Sequence, residues 1–233
     1  MKILEIKKLS KNFHNKEVLN DINIEIESGK IYGLLGVNAS GKTTLIGLIN
    51  NLLIPTRGEI LFNGERLGTK SKERIAYLPE NSLFMMRVLE SVKWHQYFFE
   101  GFKFDRAIEL LEKYEISLKD RVSTLSRGTY EKLILILTLC RDADIYVLDE
   151  PLSGVDIIAR EELIDLILDN YNPNSAMIIS THIISEVERL FDHVIIINKG
   201  KVLLDENADA LREKQDTSIE NIFKEVIQHE EVI

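Results

Sequence analysis

Apolar and polar residues follow two different periods along the chain, and these periods predict where strands and helices lie. Ile22, Ile24 and Ile26 alternate with polar residues, which is typical of a half-buried strand, and residues 3–35 as a whole are strand-rich. The short apolar run of residues 31–35 predicts a further, buried strand. The first part of the chain is therefore expected to be mostly β-structure.

Strands and helices alternate in the rest of the chain. Helix-period apolar residues predict helices over residues 42–51, 88–100, 105–115, 127–140, 156–170 and 183–192, and two short ones within 208–228. Short apolar or alternating runs predict strands over residues 59–62, 65–67, 74–78, 145–148, 176–180, 194–198 and 201–204. The region from about residue 82 to 140 is helical only. This order predicts a parallel α/β core that carries a helical subdomain.

Length and composition limit the class of protein. The 233 residues, 45% hydrophobic and 29% charged, fit one domain with an embedded subdomain and exclude disorder as the main state. The most apolar stretch, residues 133–140, is far shorter than the roughly 18 residues of a membrane-spanning helix. The single cysteine, Cys140, favours a reducing compartment, and the N-terminus lacks a signal-peptide core. We therefore expect a cytoplasmic protein, for which another chain must supply any membrane span.

The net charge argues against one large class of partners. The chain has 29 basic and 38 acidic side chains, a formal net charge of −9. A chain this acidic is not expected to present the broad basic face with which proteins hold nucleic acid. Nucleic acid is therefore not predicted as a partner, and an anionic ligand must be bound by local groups.

Residues 36–43 carry the most specific chemical signal. Their sequence, GVNASGKT, matches the phosphate-binding pattern G-x-x-x-x-G-K-[ST] and lies between an apolar strand and a helix. The glycines let the backbone wrap closely, so that N–H groups and the helix N-terminus point at phosphate oxygens. Lys42 can reach the β- and γ-phosphates, and the Thr43 hydroxyl can bind Mg²⁺. A chance match is expected in about one of 200 sequences of this composition, so a nucleotide site is favoured over a plain turn.

Residues 145–150 supply carboxylates to the same predicted site. The hydrophobic strand ends in Asp149 and Glu150, which places both acids at the carboxyl edge of a parallel sheet, where ligands bind. Asp149 is a candidate to hold Mg²⁺ through water, and Glu150 to orient or deprotonate an attacking water. An isolated Asp-Glu pair would favour a solvated acidic turn, but the upstream phosphate-binding pattern favours a hydrolytic site.

Three shorter motifs narrow the class. Leu-Ser-Arg-Gly-Thr occupies 125–129 before a long helix, Ser-Gly-Val-Asp occupies 153–156, and Ser-Thr-His occupies 180–182 after a strand. In this order and spacing the chain resembles the ATPase subunit of ATP-binding-cassette (ABC) transporters over nearly its whole length, in particular cassettes of ABC-2-type exporters. The resemblance implies an α/β fold: a P-loop ATPase core with an N-terminal antiparallel β subdomain and an inserted α-helical subdomain.

The resemblance also implies a division of the chain within one nucleotide-binding domain. The ATPase core with the β subdomain would comprise residues 1–80 and 141–210, the helical subdomain residues 81–140, and a C-terminal helical tail residues 211–233. Residues 217–223 of that tail are similar to the short C-terminal helix of exporter-type cassettes. A charged helix that only packs against the core is the alternative.

Individual site residues follow from the resemblance, position by position. ATP would be bound by Phe13, stacked on adenine, and by Gly36, Asn38, Ala39, Ser40, Gly41, Lys42, Thr43 and Thr44. Mg²⁺ would be held by Thr43, Glu80 and Asp149. Catalysis would involve Glu150, Lys42 and His182, of which His182 would contact the γ-phosphate. For Phe13 the alternative is an ordinary hairpin aromatic, and for His182 a structural role.

The remaining motif residues would act on a second cassette. Ser126, Arg127, Gly128 and Thr129 form the signature that would contact ATP bound to the partner, and Asp156 would lie at the dimer seam. Ordinary helix N-caps are the alternative for Ser126 and Asp156. The implied partners are a second cassette, identical or different, and a separate transmembrane permease. The chain would then be peripheral on the inner face of the cell membrane.

Three positions depart from the family's usual motifs. The signature is usually Leu-Ser-Gly-Gly-Gln, whereas Arg127 and Thr129 replace a glycine and the glutamine here. The Ser126 hydroxyl and the Gly128 backbone remain, so competence is expected. Glu80 stands where a glutamine is usual. A carboxylate can still accept a hydrogen bond from a Mg²⁺-bound water, so Glu80 can keep its contact with the nucleotide site. We expect Glu80 also to link the nucleotide to the membrane partner.

Aromatic and methionine residues cluster in residues 82–99, where the family's cleft receives a helix of the permease. They are Phe84, Met85, Met86, Trp94, Tyr97, Phe98 and Phe99. Trp94 and Phe98 are spaced i, i+4, and we expect them in the core of the helical subdomain. Met85 and Met86 could line a docking groove. The other histidines, His14, His95, His193 and His229, are expected to be surface or satisfied core residues.

The resemblance therefore implies an ATP-hydrolysing subunit that powers transport, with export as the favoured direction. Two alternatives belong to other classes. A soluble ABC ATPase of translation or DNA maintenance is disfavoured by the single cassette, the lack of a heptad insertion and the negative charge. A non-catalytic nucleotide-sensing module is disfavoured because Lys42, Asp149, Glu150 and His182 are all present.

Overall fold

The computed structural model describes residues 1–14, 16–80 and 86–231. The strands are β1 (Lys2–Phe13), β2 (Lys16–Glu27), β3 (Ile31–Leu35), β4 (Arg57–Phe62), β5 (Glu65–Arg66), β6 (Ile75–Leu78), β7 (Ile145–Asp149), β8 (Ala176–Thr181), β9 (His193–Asn198) and β10 (Lys201–Asn207). The helices are α1 (Lys42–Ile49), α2 (Thr69–Arg74), α3 (Val88–Phe98), α4 (Phe104–Lys113), α5 (Arg127–Leu139), α6 (Ile157–Asn170), α7 (Ile184–Val187), α8 (Ala208–Gln215) and α9 (Ile219–Glu231). Most predicted elements are confirmed to within a few residues.

An antiparallel sheet is built from the N-terminal strands in the order β2-β1-β4-β5. Strands β1 and β2 form a long antiparallel pair. Ile22, Ile24 and Ile26 are buried and alternate with exposed residues, as their period of two predicts. One face of this sheet therefore packs on the core, and the other faces solvent.

The central sheet has the strand order β10-β9-β3-β8-β7-β6. Neighbouring strands are parallel from β9 through to β6, and β10 runs antiparallel at the edge. Strand β3 is buried on both faces, with Ile31 and Leu35 in one apolar cluster and Tyr32 and Leu34 in the other. The predicted parallel α/β core is confirmed, and the segments that follow β3, β7 and β8 meet at one edge of the sheet.

The two faces of the central sheet are covered by different layers. Helix α1 contributes Leu45, Ile46, Leu48 and Ile49 to a cluster that also contains the buried side chains of β1 and β2. Helices α5 and α6 pack in the cluster on the opposite face. Helix α1 is thus held between the two sheets, which gives the loop that precedes it a rigid support.

The predicted helix over residues 183–192 is wrong in its second half. Helix α7 ends at Val187 and is followed by a 3₁₀ turn over Glu188–Leu190. Tertiary contacts override the helical pattern, because the Asp192 N–H donates to the Ile31 carbonyl and the Asp192 carboxylate accepts from the Ile31 N–H at 2.8 Å. These bonds draw the chain into β9 beside β3. Helix α2 was not predicted.

The expectation that Trp94 and Phe98 are core residues is also wrong. Their exposed fractions are 51% and 53%, and their rings contact each other with centroids 4.2 Å apart. The buried face of α3 is formed by Val88, Ser91 and Val92 instead. Phe84 and Met85 lie outside the described residues. In the described ranges, no helix is both long and apolar enough to cross a membrane.

Candidate active site

The loop between β3 and α1 has the geometry of a phosphate cradle. The Lys42 ammonium curls back to the loop, with Nζ 2.6 Å from the Gly36 carbonyl and 3.3 Å from the Val37 carbonyl. Burial lowers the pKa of Lys42, and the nearby carboxylates of Glu150, Asp149 and Glu80 oppose that shift. Gly41 has φ +115°, and a Cβ there would lie 2.7 Å from Leu19 Cδ2, so only glycine fits.

Two residues of the loop are held in unfavourable states. Ala39 has φ 61°, in the left-handed region that residues other than glycine rarely occupy. The Ser40 hydroxyl oxygen is buried and has no hydrogen-bond partner in the described part of the chain. A buried hydroxyl without a partner is destabilising by about 1–3 kcal/mol and is well suited to an oxygen-rich ligand. The loop therefore fits a polyphosphate.

Asp149 ends β7 at the carboxyl edge of the sheet and is buried. The Ser180 hydroxyl at the end of β8 donates to Asp149 Oδ1 at 2.5 Å and also accepts from the Glu150 N–H at 3.1 Å. Burial raises the pKa of the Asp149 carboxyl, and the bond from Ser180 opposes that shift. Ser180 thus fixes the positions of both neighbouring acids, a role that the sequence motif did not assign to it.

Glu150 and His182 form a pair beside Asp149. Glu150 Oε2 lies 2.8 Å from His182 Nδ1 and accepts from the His182 N–H at 3.3 Å. Burial raises the pKa of Glu150, and the contact with His182 opposes that shift. Glu150 also has φ 52°, a strained backbone state that often marks functional sites.

These elements line one cleft of about 690 Å³. Of the predicted site residues, the cleft brings together Asn38, Ala39, Ser40, Gly41, Lys42, Thr43, Thr44, Glu80, Asp149, Glu150 and His182. Gly36 contributes its carbonyl to Lys42 from behind the loop. A cleft with this lining can bind a nucleotide polyphosphate, and its oxygen ligands at Thr43, Glu80 and Asp149 suit a divalent cation.

Sequence reasoning missed five residues of this cleft. They are Lys16, Glu17, Val18, Lys199 and Gly200. The first three begin β2, and the last two form the turn between β9 and β10. Asn198-Lys199-Gly200 is a recognisable turn signal. Its proximity to the phosphate loop depends on the pairing of β9 with β3, which no local pattern contains.

Phe13 lies at the margin of this site. It is the last residue of β1 and pairs with Lys16, which does line the cleft. Its side chain is 41% exposed, and the Lys11 ammonium lies 4.9 Å from the ring centroid. Phe13 itself is not in the cleft lining of the described residues. Adenine stacking on Phe13 stays a prediction.

The signature residues lie outside the cleft of their own chain. Ser126 caps α5, where its hydroxyl accepts from the Thr129 N–H at 3.2 Å and contacts the Thr129 hydroxyl at 2.8 Å. Asp156 caps α6 by accepting from the Ala159 N–H at 3.1 Å. A Cβ on Gly128 would lie 2.8 Å from Ala159 Cβ, so this glycine permits the close packing of α5 on α6. The capping roles are present, and the roles toward a second chain stay predictions.

The cleft at the carboxyl edge of the parallel sheet combines a phosphate-binding loop, two acids at a strand end and a histidine. This combination is typical of a P-loop nucleotide hydrolase. A family model described as ABC transporter matches residues 19–153, which is more than half of the chain. The chain belongs to the ABC transporter family, in which it is an ATP-binding subunit and an ATPase.

Relatives of known name agree with this assignment. The chain is 30% identical over 217 residues to the ABC transporter ATP-binding protein YtrB of Bacillus subtilis, which covers 91% of this chain and 74% of YtrB. It is 29% identical to the lantibiotic transport ATP-binding protein SrtF of Streptococcus pyogenes, over 89% of this chain and 92% of SrtF. It is 28% identical to the methionine import ATP-binding protein MetN 1 of Staphylococcus epidermidis, over 86% of this chain and 64% of MetN 1.

A solved structure of the ATP-binding subunit of an ABC transporter superimposes with a TM-score of 0.87. The two chains are 26% identical, and the match covers 97% of this chain and 99% of the other. The predicted α/β cassette fold is therefore confirmed over almost the whole chain.

Proposed function

We propose that this chain hydrolyses ATP with Mg²⁺ at a site completed by a second cassette, and that it drives export through a separate membrane permease. The observation that carries the proposal is the single cleft shared by the phosphate loop, Asp149 and the Glu150–His182 pair. The chain would act at the inner face of the cell membrane.

Binding rests on local groups because the chain as a whole is acidic. The buried Ser40 hydroxyl, the backbone of residues 38–43 and the Lys42 ammonium are the groups available to phosphate oxygens. Thr43, Glu80 and Asp149 would hold Mg²⁺. When bound, Mg²⁺ would neutralise charge that develops on the phosphate oxygens.

Hydrolysis would proceed by in-line attack of water on the γ-phosphorus. A bond forms between the water oxygen and phosphorus, and the bond to the bridging oxygen breaks, which releases ADP and phosphate. Glu150 orients the water and accepts its proton. His182 holds the Glu150 carboxylate through the 2.8 Å contact and stabilises the γ-phosphate. Phosphate release measured with and without Mg²⁺ tests this reaction and separates it from a purely nucleotide-sensing role.

The second cassette would supply Ser126 and Gly128 to the ATP bound on the first. Support comes from their position outside their own cleft, at the N-terminus of α5, where the Ser126 side chain is exposed. Mixing two variants with impaired ATPase activity, Lys42→Ala and Ser126→Ala, is the decisive experiment. A dimer that contains one chain of each variant has one site in which both the phosphate loop and the signature are wild type. ATPase activity should therefore reappear on mixing. If the mixture shows no ATPase activity even though mixed dimers are demonstrated, the composite site is contradicted.

Coupling to a permease is supported by the surface after Glu80. Trp94, Tyr97 and Phe98 are at least half exposed on α3, which follows Glu80 along the chain. Large exposed aromatics in a cluster are typical of protein interfaces. We expect Glu80→Ala to lower transport per ATP in vesicles that contain the membrane permease partner. Equal ATPase rate and equal transport would contradict this role of Glu80.

Export is proposed from the motif resemblance and from similarity to SrtF, whose name denotes lantibiotic transport. MetN 1, an import protein by name, represents the opposite direction. Vesicles of inverted orientation should accumulate substrate on addition of ATP if the system exports. Accumulation only in right-side-out vesicles supplied with internal ATP would contradict export.

A further inference from the structure

The turn between β9 and β10 lies against the phosphate loop, and no motif of the sequence includes it. Lys199 and Gly200 have φ 45° and 76°, as in a two-residue hairpin turn of the left-handed kind. The Gly200 N–H donates to the Ser40 carbonyl at 2.9 Å, and the Gly200 carbonyl accepts from the Asn20 N–H at 2.8 Å. A Cβ on Gly200 would lie 2.3 Å from the Val18 carbonyl, so the contact requires glycine. The turn is therefore fastened to both the phosphate loop and β2.

Lys199 lines the nucleotide cleft from this turn. The cleft lining contains four carboxylates, on Glu17, Glu80, Asp149 and Glu150, and three amines, on Lys16, Lys42 and Lys199. A polyanion in such a cleft meets strong repulsion unless the cations face it. In the described part of the chain, no salt bridge joins Lys199 to a carboxylate. Its ammonium is thus available to a ligand.

The C-terminal helix holds the same turn from the other side. The buried Asn198 side chain donates from Nδ2 to Glu230 Oε2 at 2.5 Å, and its Oδ1 accepts from the Lys199 N–H at 3.1 Å. Helix α9 is itself anchored by the buried side chains of Ile222 and Ile227. A bond from the last turn of α9 therefore reaches Lys199 through one asparagine.

We propose that Lys199 is a further nucleotide-binding residue, in electrostatic contact with the phosphates of ATP, and that α9 positions it through Glu230 and Asn198. The inference rests on the proposed nucleotide site. It assigns the C-terminal helix a part in ATP affinity, beyond packing against the core. Asn198 and Glu230 act as positioning residues, since neither lines the cleft in the described chain.

ATP affinity of the full chain, measured by equilibrium titration at low salt, tests the role of Lys199. We expect Lys199→Ala to weaken ATP binding about fivefold, the effect of losing one partly exposed charge contact. Lys199→Arg should restore most of the affinity, and high salt should reduce the difference between wild type and Lys199→Ala. Lys201→Ala is the matched control, because Lys201 is exposed two residues away and outside the cleft lining. Wild-type affinity in Lys199→Ala would overturn the proposal.

Variants of Glu230 test the positioning by α9. Glu230→Ala should weaken ATP binding about two- to threefold, and Glu230→Gln, which keeps an acceptor for Asn198, should bind nearly as the wild type does. Glu225→Ala, exposed on the same helix, is the control. The double variant Glu230→Ala/Lys199→Ala should bind no more weakly than Lys199→Ala alone, because both act through one contact.

The outcomes separate this inference from the proposed function. A Glu230→Ala protein that loses thermal stability but keeps wild-type ATP affinity would overturn the positioning role. Lys42→Ala serves as the reference for the nucleotide site itself. Loss of ATP binding in Lys42→Ala together with unchanged binding in Lys199→Ala would refute only the further inference. Equal binding by wild type and Lys42→Ala would refute the proposed site.

Discussion

The phosphate-loop side and the signature side of this cassette differ in how completely their polar groups are satisfied. On the first side the Ser40 hydroxyl is buried without a partner in the described chain, and Ala39 and Glu150 occupy strained backbone states. On the second side Ser126 and Asp156 each accept a hydrogen bond from their own helix. The first side has unfavourable contacts within its loop. On the second side the two capping side chains are satisfied as at ordinary helix N-termini, although Glu131 Oε1 on α5 is buried without a hydrogen-bond partner in the described chain.

This difference shows what one chain can reveal about a site that we propose is shared by two chains. Strain and unsatisfied groups cost stability and persist where function requires them, so the phosphate side points to a ligand by its own geometry. A capped helix N-terminus gives no such indication, because capping alone explains the serine and the aspartate. Four predictions test whether the two sides differ in function as they do in structure.

The largest effect is expected at Glu150. Glu150→Gln should keep ATP binding but lower the hydrolysis rate by about 100-fold or more, because the proton acceptor is lost. The closed dimer should then persist with ATP bound, which size-exclusion chromatography can measure. Glu225→Gln, which changes an exposed carboxylate on α9 outside the cleft lining, is the control. Normal turnover in Glu150→Gln would show that another group activates the water.

The next effect concerns Glu131, the exception on the signature side. Its carboxylate is 5% exposed and lies 2.6 Å from Arg127, a charge contact without hydrogen-bond geometry. Burial raises its pKa from 4.5 to about 7. An acid with a raised pKa in the folded state stabilises the fold most when protonated. Stability should therefore fall as pH rises from 4.5 to 7, by on the order of 2–3 kcal/mol.

Glu131→Gln should remove this part of the pH dependence and be more stable than wild type at pH 8. Urea unfolding of wild type and Glu131→Gln between pH 5 and 8 measures the pH dependence of the free energy of unfolding. The control is Glu225→Gln, whose exposed side chain should leave the pH profile unchanged. Parallel profiles for wild type and Glu131→Gln would refute the assignment to Glu131.

A smaller effect separates capping from catalysis on the signature side. Ser126→Ala and Asn207→Ala each remove an N-cap side chain, from α5 and α8, and each should cost about 1 kcal/mol of stability. Only Ser126→Ala should also lower the ATPase rate, by about tenfold or more, since Asn207 faces no nucleotide. If both variants keep full activity, Ser126 is a cap alone.

The smallest effect is expected in the phosphate loop. Ala39→Gly should relieve the left-handed strain and raise stability by up to about 1 kcal/mol. Ala210→Gly, in the first turn of α8, should lower stability by about the same amount, because glycine is unfavourable in a helix. Thermal denaturation of the two variants measures the contrast. A destabilised Ala39→Gly would mean that the loop is not strained at this position.

The sequence predicted the elements of the core because their periods are strong and local. Buried β3, β7 and β8 are short apolar runs, and their order between helices implies a parallel sheet. Prediction was wrong where tertiary contacts outweigh local pattern. Asp192 ends the helical stretch after residue 183 by bonding to Ile31, and Trp94 and Phe98 lie at the surface although their spacing suits a core.

Site residues could be predicted from the sequence where they belong to short contiguous motifs. Lys42, Thr43, Asp149, Glu150 and His182 stand in such motifs, and the fold brings all five into one cleft. Lys199 and Ser180 gain their places only from strand pairing, of β9 with β3 and of β8 with β7. No local pattern encodes a partner that lies many residues away.

By itself, therefore, the sequence determined the family, the order of strands and helices, and the residues that form the phosphate loop. Only the tertiary structure decided that Ser180 joins Asp149 to Glu150, that Glu150 meets His182, and that the C-terminal helix reaches the nucleotide cleft through Asn198. The physical reason is that periodicity and turn chemistry act over a few residues. Hydrogen bonds between distant segments form only where packing has already brought those segments together.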